Sequence, residues 1–221
     1  MEALFPLTVF ILAFGGIFLV AWLFSKKARI RRKLKKFPFK YISDFVNGES
    51  AKITGMVEFV DVPLTSPLSG RTCAWYYVLV EQRVSSGRSS HWKKIIEEEV
   101  PGRFVVRDGN RCALVDERKV KSYIVQDKQF RSGFMNDASG PLEAYLSKHG
   151  IKSVGLFGLN KSIRYKEGVL EEGERISVYG KGEWKEAGQL GLAEVYGRVL
   201  HMRAPDQDFM VLTDDPHASK K

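Results

Sequence analysis

The sequence predicts a mostly β (α+β) protein: one N-terminal transmembrane helix followed by an OB-like β-barrel domain with one or two short helices. Three observations carry that reading. Leu4 to Phe24 is a 21-residue run without a charge, and a helix of that length reaches across ~30 Å of hydrocarbon at ~1.5 Å per residue. A strongly basic stretch follows at once. From Ala51 onward the apolar spacing changes from helical to alternating, with β-branched and aromatic runs broken by Gly, Pro, Asn and Asp.

The apolar run opens on Met1-Glu2-Ala3 and ends in Trp22-Leu23-Phe24-Ser25-Lys26-Lys27. A cleaved signal peptide opens on positive charge and ends in small residues, so the run reads as a retained anchor. No Lys or Arg precedes it and nine follow closely, which by the positive-inside rule puts the N-terminus outside and the rest of a single-pass membrane protein in the cytoplasm. The expected divisions are a transmembrane helix over 4–24, a basic juxtamembrane stem over 25–40, a β domain over 41–216 and a tail over 217–221.

The formal charge of +9, from 35 Lys+Arg against 26 Asp+Glu, is a local property. Nine of the basic residues lie between Lys26 and Lys40, where there is no acid, and the rest of the chain is close to neutral. The plainer reading of this run is a stop-transfer collar. The sharper reading is an interfacial helix with Ile30, Leu34 and Phe37 on one side, in which Lys26, Lys27, Arg29, Arg31, Arg32, Lys33, Lys35 and Lys36 contact anionic lipid headgroups. Pro38 disfavours helix at Phe37, so the stem ends there.

Within the β domain, strands are expected over Lys52–Phe59, Cys73–Arg83, Trp92–Val100, Arg103–Arg107, Arg111–Val115, Arg175–Gly180 and Phe209–Leu212. Asp108-Gly109-Asn110 between two apolar runs is a hairpin signal, because Gly and Asn tolerate positive φ. Short helices are expected over Tyr41–Val46 and Leu142–His149, the second stopped by Gly150. Strand, hairpin, helix and a further glycine-punctuated strand follow one another in the order of small OB-like barrels.

The chemistry-bearing motifs are mostly absent. There is no nucleophile elbow, phosphate loop, dinucleotide fingerprint, Cys-x-x-Cys or His-Glu-x-x-His, so no catalytic residue, metal ligand or cofactor is assigned. Adjacent Asp214 and Asp215 in a strand point to opposite faces, and Cys73 and Cys112 are expected to be reduced. The most distinctive stretch is Ser66-Pro67-Leu68-Ser69-Gly70-Arg71. It reads either as a tight turn that Pro67 and Gly70 make possible or as a binding loop in which Arg71 grips a carboxylate or phosphate in bidentate fashion. Trp75 and Tyr77 share one strand face and Tyr76 takes the other, so one of the two faces is a candidate ligand or partner surface. The apolar, glycine-rich Val154–Leu159 is either packed core or a loop that dips into a headgroup layer.

The residues Pro63-Leu64-Thr65-Ser66-Pro67-Leu68-Ser69-Gly70-Arg71-Thr72-Cys73-Ala74-Trp75-Tyr76 resemble the most recognisable motif of the GIDE domain, also called the BAM ("beside a membrane") domain. Phe104-Val105-Val106-Arg107-Asp108-Gly109 with Leu114-Val115-Asp116, Tyr165 to Arg175 with Val178-Tyr179-Gly180, and Phe209 to Thr213 are similar to later pieces of the family in the same order. This domain also occurs in mitochondrial ubiquitin/SUMO ligases of the MULAN/MAPL type, where a separate RING finger performs the ligase step. A RING needs eight paired Cys/His ligands, and the chain offers only Cys73, Cys112, His91, His149, His201 and His217. The resemblance therefore implies a stand-alone, membrane-anchored member without ligase activity of its own.

The resulting functional expectation is a non-catalytic binding or membrane-associated sensing module. Its candidate binding residues are Ser66, Pro67, Ser69, Gly70, Arg71, Trp75, Tyr77 and Glu167. Its expected partners are the lipid bilayer, anionic headgroups and a protein not identified by the sequence. A ligase-related role by family label and an OB-like nucleic-acid-binding module are the alternatives. The near-neutral domain argues against nucleic acid, which needs a positive groove.

Overall fold

Strands β1 (Ser50–Phe59), β6 (Phe104–Asp108), β7 (Arg111–Val115), β12 (Arg198–Arg203) and β11 (Arg175–Glu186) are hydrogen-bonded in that order, and β11 pairs back with β1 to close a five-stranded barrel. The computed structural model describes residues 25–132, 140–152 and 162–218. Closure depends on β1 serving two partners: Ser50 to Met56 pair with β11 and Met56 to Phe59 with β6. Gly55 sits at the changeover, where a Cβ would stand 2.3 Å from the Arg107 carbonyl oxygen. Only glycine lets the two backbones approach so closely.

The barrel is filled by alternate residues of its strands, among them Ile53, Val57, Phe104, Val106, Ile176, Val178, Leu200 and Met202, all buried. The expected hairpin forms, with Asp108 opposite Arg111 and Gly109 at φ 62° in the turn. Strand β13 (Met210–Thr213) extends the sheet from β11, and β8 (Val120–Tyr123) runs parallel to β13 at its edge. Ala218 is buried against this edge.

The long chain between β1 and β6 builds a second sheet. The short β2 (Leu64–Thr65) and β3 (Thr72–Cys73) pair across the distinctive loop, and β4 (Trp75–Ser86) and β5 (Ser89–Pro101) form a long hairpin. Strand β10 (Ile163–Leu170) joins β4, and β9 (Lys128–Ser132) joins β10. Helix α2 (Gly140–Lys148) covers one face with Leu142, Tyr145 and Leu146 against Val78, Val80 and Tyr165. Adjacent residues belong to different cores: Trp75 and Leu170 pack in the barrel, Tyr76 and Val169 in the second cluster. The helix expected over Tyr41–Val46 is only a 3-10 turn at Ile42–Asp44. The chain beside it is captured by β1, through Lys52 N–H to the Pro38 carbonyl and Lys40 N–H to the Lys52 carbonyl.

Helix α1 (Lys26–Lys36) starts at Ser25, whose hydroxyl accepts from the Ala28 N–H, and ends before Pro38 as the sequence predicts. Its apolar face is not free. Ile30 and Leu34, one turn apart, are buried against Tyr179, Val211 and Ala218, and the Phe37 ring stacks on Tyr179 at 3.4 Å between centroids. The interfacial-helix reading is thereby corrected, because the face it would turn to lipid is packed on the barrel.

The transmembrane expectation is also corrected. Among the described residues no helix is long and apolar enough to cross a membrane. Helix α1 has 11 residues, six of them after Ile30, and α2 has 9. At ~1.5 Å per residue both are roughly half the ~30 Å required, and α1 is dominated by Lys and Arg. Residues 4–24 lie outside the described residues. The fold class is thus mostly β with a closed five-stranded barrel and two helices among the described residues, and neither the membrane span nor the single-pass placement built on it has support.

Leu34 is 1% exposed, so Leu34→Ala should cost about 2–5 kcal/mol by lost burial and cavity formation. Urea unfolding with amide exchange across 26–36 measures this; unchanged stability and unchanged protection would contradict the docked helix.

Candidate functional site

The loop Ser66–Arg71 turns tightly because Ser66 accepts at its carbonyl from the Gly70 N–H and donates its own N–H to the Arg71 carbonyl, with Gly70 at φ 70°. The two serine hydroxyls meet at 2.8 Å, and the Ser66 hydroxyl also accepts from the Arg71 N–H. The N–H groups of Leu68 and Ser69 converge on Oε1 of Glu167, at 3.1 and 3.4 Å. Glu167 comes from β10 opposite Val78 and is fully buried. Two loop amides thus hold a carboxylate in the small cationic nest that successive N–H groups make.

Arg71 completes the arrangement. Its Nε donates to the Ser69 hydroxyl at 3.1 Å, and its Nη1 contacts Asp127 at 2.5 Å and Glu171 at 3.1 Å. The carboxylates that Arg71 could have gripped in a partner are supplied by its own chain. Nη2 of Arg71 and Oε2 of Glu167 are buried without a hydrogen-bond partner among the described residues. Beside them the Cys73 thiol is pushed up to about 11, first by burial and then by the charge of Glu167, which keeps it protonated and a poor nucleophile.

A rim of acids continues from this lock. Burial, with the charge of Glu171 and Asp127 adding to it, raises the Glu174 carboxyl above its usual range. Asp214 is pushed up to about 7, chiefly by burial and further by Glu174, against the opposing effect of the Val125 N–H that it accepts at 2.8 Å. Among the described residues no group of three or more His, Cys, Asp or Glu is placed to hold a metal ion. Cys73 and Cys112 are both free and buried, in separate clusters.

The basic helix has the opposite character. Arg31 makes a bidentate pair with Asp215, Nε to Oδ2 at 2.6 Å and Nη2 to Oδ1 at 2.8 Å, and Lys27 lies 3.6 Å from the same carboxylate. Lys33 reaches Asp208 at 2.5 Å and Lys26 reaches Glu99 at 3.2 Å. Arg32 is exposed and donates to the Ala28 carbonyl. Arg29, Lys35 and Lys36 are exposed, and among the described residues none of the three has an ion-pair partner. Between α1 and the β8/β13 edge lies a groove of about 400 Å³ lined by Lys26, Arg29, Ile30, Lys33, Lys121 and Val211.

Of the residues singled out from the sequence, Ser66, Ser69, Gly70, Arg71 and Glu167 come together, with Pro67 in the same loop. Trp75 and Tyr77 do not join them and are not a surface. Both are buried; Trp75 donates to Glu99 and Tyr77 to Glu97, and the Lys26 ammonium stands 5.1 Å from the Tyr77 ring. Asp127, Glu171, Lys121 and Val211 were not anticipated, since only the pairing of distant strands brings them to the loop and the helix. The stretch Val154–Leu159 lies outside the described residues. No protein-family model, curated protein or solved structure shows a significant match to the chain.

Asp214 supplies a sign-definite test. A carboxyl whose pKa rises on folding keeps its proton longer in the folded state, so it removes stability as pH climbs from about 4 to about 7. Asp214→Asn removes that penalty and can still accept from Val125. It should stabilise the protein by roughly 1–2 kcal/mol at pH 8 and change little at pH 4; urea midpoints at the two pH values measure this, and equal effects at both would contradict it.

Proposed function

We propose that the chain is a non-catalytic binding module of the GIDE type that presents a docked cationic helix to an anionic partner. The observation that carries the reading is the division of labour on α1, where Arg31 is committed to Asp215 while Arg29, Lys35 and Lys36 are exposed and have no ion-pair partner among the described residues. The motif that resembles the family supports the non-catalytic half. Its serines, arginine and the buried Glu167 are engaged with one another at the junction of the two sheets. On this reading the Ser66–Arg71 loop locks the second sheet to the barrel, and binding belongs to the helix.

The same basic face favours a second reading, binding of nucleic acid. Sequence-tolerant binding of single strands uses exposed aromatic platforms, and Trp75, Tyr76 and Tyr77 are all buried. The anionic-partner reading therefore takes precedence. No ligase step is proposed for this chain.

Two sets of variants separate the roles. Arg29→Glu with Lys36→Glu should elute from a heparin column at clearly lower salt than Lys93→Glu with Arg111→Glu, which changes net charge equally at exposed positions elsewhere. Glu167→Ala strands two loop amides and should cost about 2–4 kcal/mol in urea unfolding, yet it should elute with the parent protein. Equal elution of the two charge variants, or weakened binding with intact stability in Glu167→Ala, would overturn the assignment.

A further inference from the structure

We infer that the groove between α1 and the β8/β13 edge is a binding site for an organic phosphate ester, with its dianionic head among Arg29, Lys33 and Lys121 and its organic part along the aliphatic stems of these side chains beside Ile30. The inference rests on the cationic-helix reading and adds a ligand class and a place.

Four cations line the groove and no carboxylate does. They come from two separate elements, three from α1 and Lys121 from β8, so the convergence is made by the fold and is not a property of the basic run alone. Lys26 and Lys33 are balanced from outside the lining by Glu99 and Asp208. Among the described residues Arg29 has no ion-pair partner, and Lys121 stands over the Phe209 ring, 3.9 Å from its centroid, within electrostatic reach of the Asp208 carboxylate that Lys33 also pairs. The four cations thus have two carboxylates near them, Glu99 and Asp208, and the remaining excess of positive charge is unfavourable unless an anion shares the space. Two charges match a dianion better than a monoanionic carboxylate. A guanidinium fork beside ammonium groups is the donor set that recognises phosphate oxygens.

The shape argues for more than an inorganic ion. At roughly 30 Å³ per water, about 400 Å³ holds on the order of a dozen waters, and the volume falls in the ~300–1,000 Å³ range of small-molecule sites. The aliphatic stems of the lining cations, with the small exposed part of Ile30, give the groove apolar walls that a bare phosphate would not use. A phosphate carrying an acyl or comparable apolar group satisfies both parts. Such a group reaches the groove either as a soluble ester or as a lipid headgroup.

Calorimetric titration of the full chain with inorganic phosphate, with dihexanoyl phosphatidate below its micelle concentration, and with phosphatidylcholine vesicles with or without phosphatidate tests the site. The expected result is saturable binding of dihexanoyl phosphatidate at least tenfold tighter than inorganic phosphate. That affinity should fall at least tenfold in both Arg29→Glu and Lys121→Glu and persist in Lys93→Glu. Binding to phosphatidate vesicles with the same losses assigns the source as lipid; binding of the soluble ester without vesicle binding assigns a soluble ester, and both support the site. Inorganic phosphate binding as tightly as the ester, or full affinity in Lys121→Glu, overturns it. If heparin elution still separates the helix variants from their controls, only this inference falls; if that difference is also absent, the cationic-helix reading falls with it.

Discussion

The bidentate pair between half-buried Arg31 and buried Asp215 is the constraint on which the rest of the described surface depends. Burial alone would raise the Asp215 carboxyl, but Arg31, the His217 N–H and Lys27 outweigh it and hold the group ionised below its ordinary range. A carboxylate with 2% of its side chain exposed needs a partner of fixed geometry, which the guanidinium fork supplies and a lysine would not. Removing Arg31 would strip the buried Asp215 carboxylate of its bidentate partner and leave it the weaker contacts of Lys27 and the His217 N–H. The pair therefore fixes where α1 lies and in which rotation. With Arg31 turned inward and Ile30 and Leu34 on the barrel, Arg29, Lys33 and Lys36 can only line or face away from the groove.

The same logic of local commitment explains the Ser66–Arg71 loop. A buried Glu167 would be costly without donors, and the loop amides and Arg71 are what surround it. The lock lies where consecutive residues diverge into two cores, Trp75 to the barrel and Tyr76 to the second sheet. A motif that looks reactive in one dimension is thus occupied in three. The acids that complete it add to the burial that raises the neighbouring Glu174, whose charge in turn adds to the burial that pushes Asp214 up to about 7, so a pH-sensitive carboxyl is linked to the loop's anchoring.

Much of the barrel was legible where a side-chain pattern had a single cause. Asp108-Gly109-Asn110 announced its hairpin, and Pro38 ended α1. Strand β12 was not legible: Arg198–Arg203 buries Val199, Leu200, His201 and Met202 in succession, so it has no alternation to detect. The basic run was legible as charge but not as a docked element, because Tyr179, Val211 and Asp215, which receive it, are brought together only by β11–β13 pairing. The apolar run that suggested a membrane span has no counterpart in the described helices, which are short and amphipathic or charged. Within the distinctive loop the participating residues were legible and their role was not, since Asp127 and Glu171 arrive from other turns.

The most direct test is a double-mutant cycle between Arg31→Met and Asp215→Asn, read by urea unfolding. The account predicts that each single change is markedly destabilising and that the pair together costs less than their sum, with a coupling of about 1.5–3 kcal/mol. Additive losses with no coupling would mean that Arg31 does not hold the helix on the barrel, and the groove built on that contact would lose its basis.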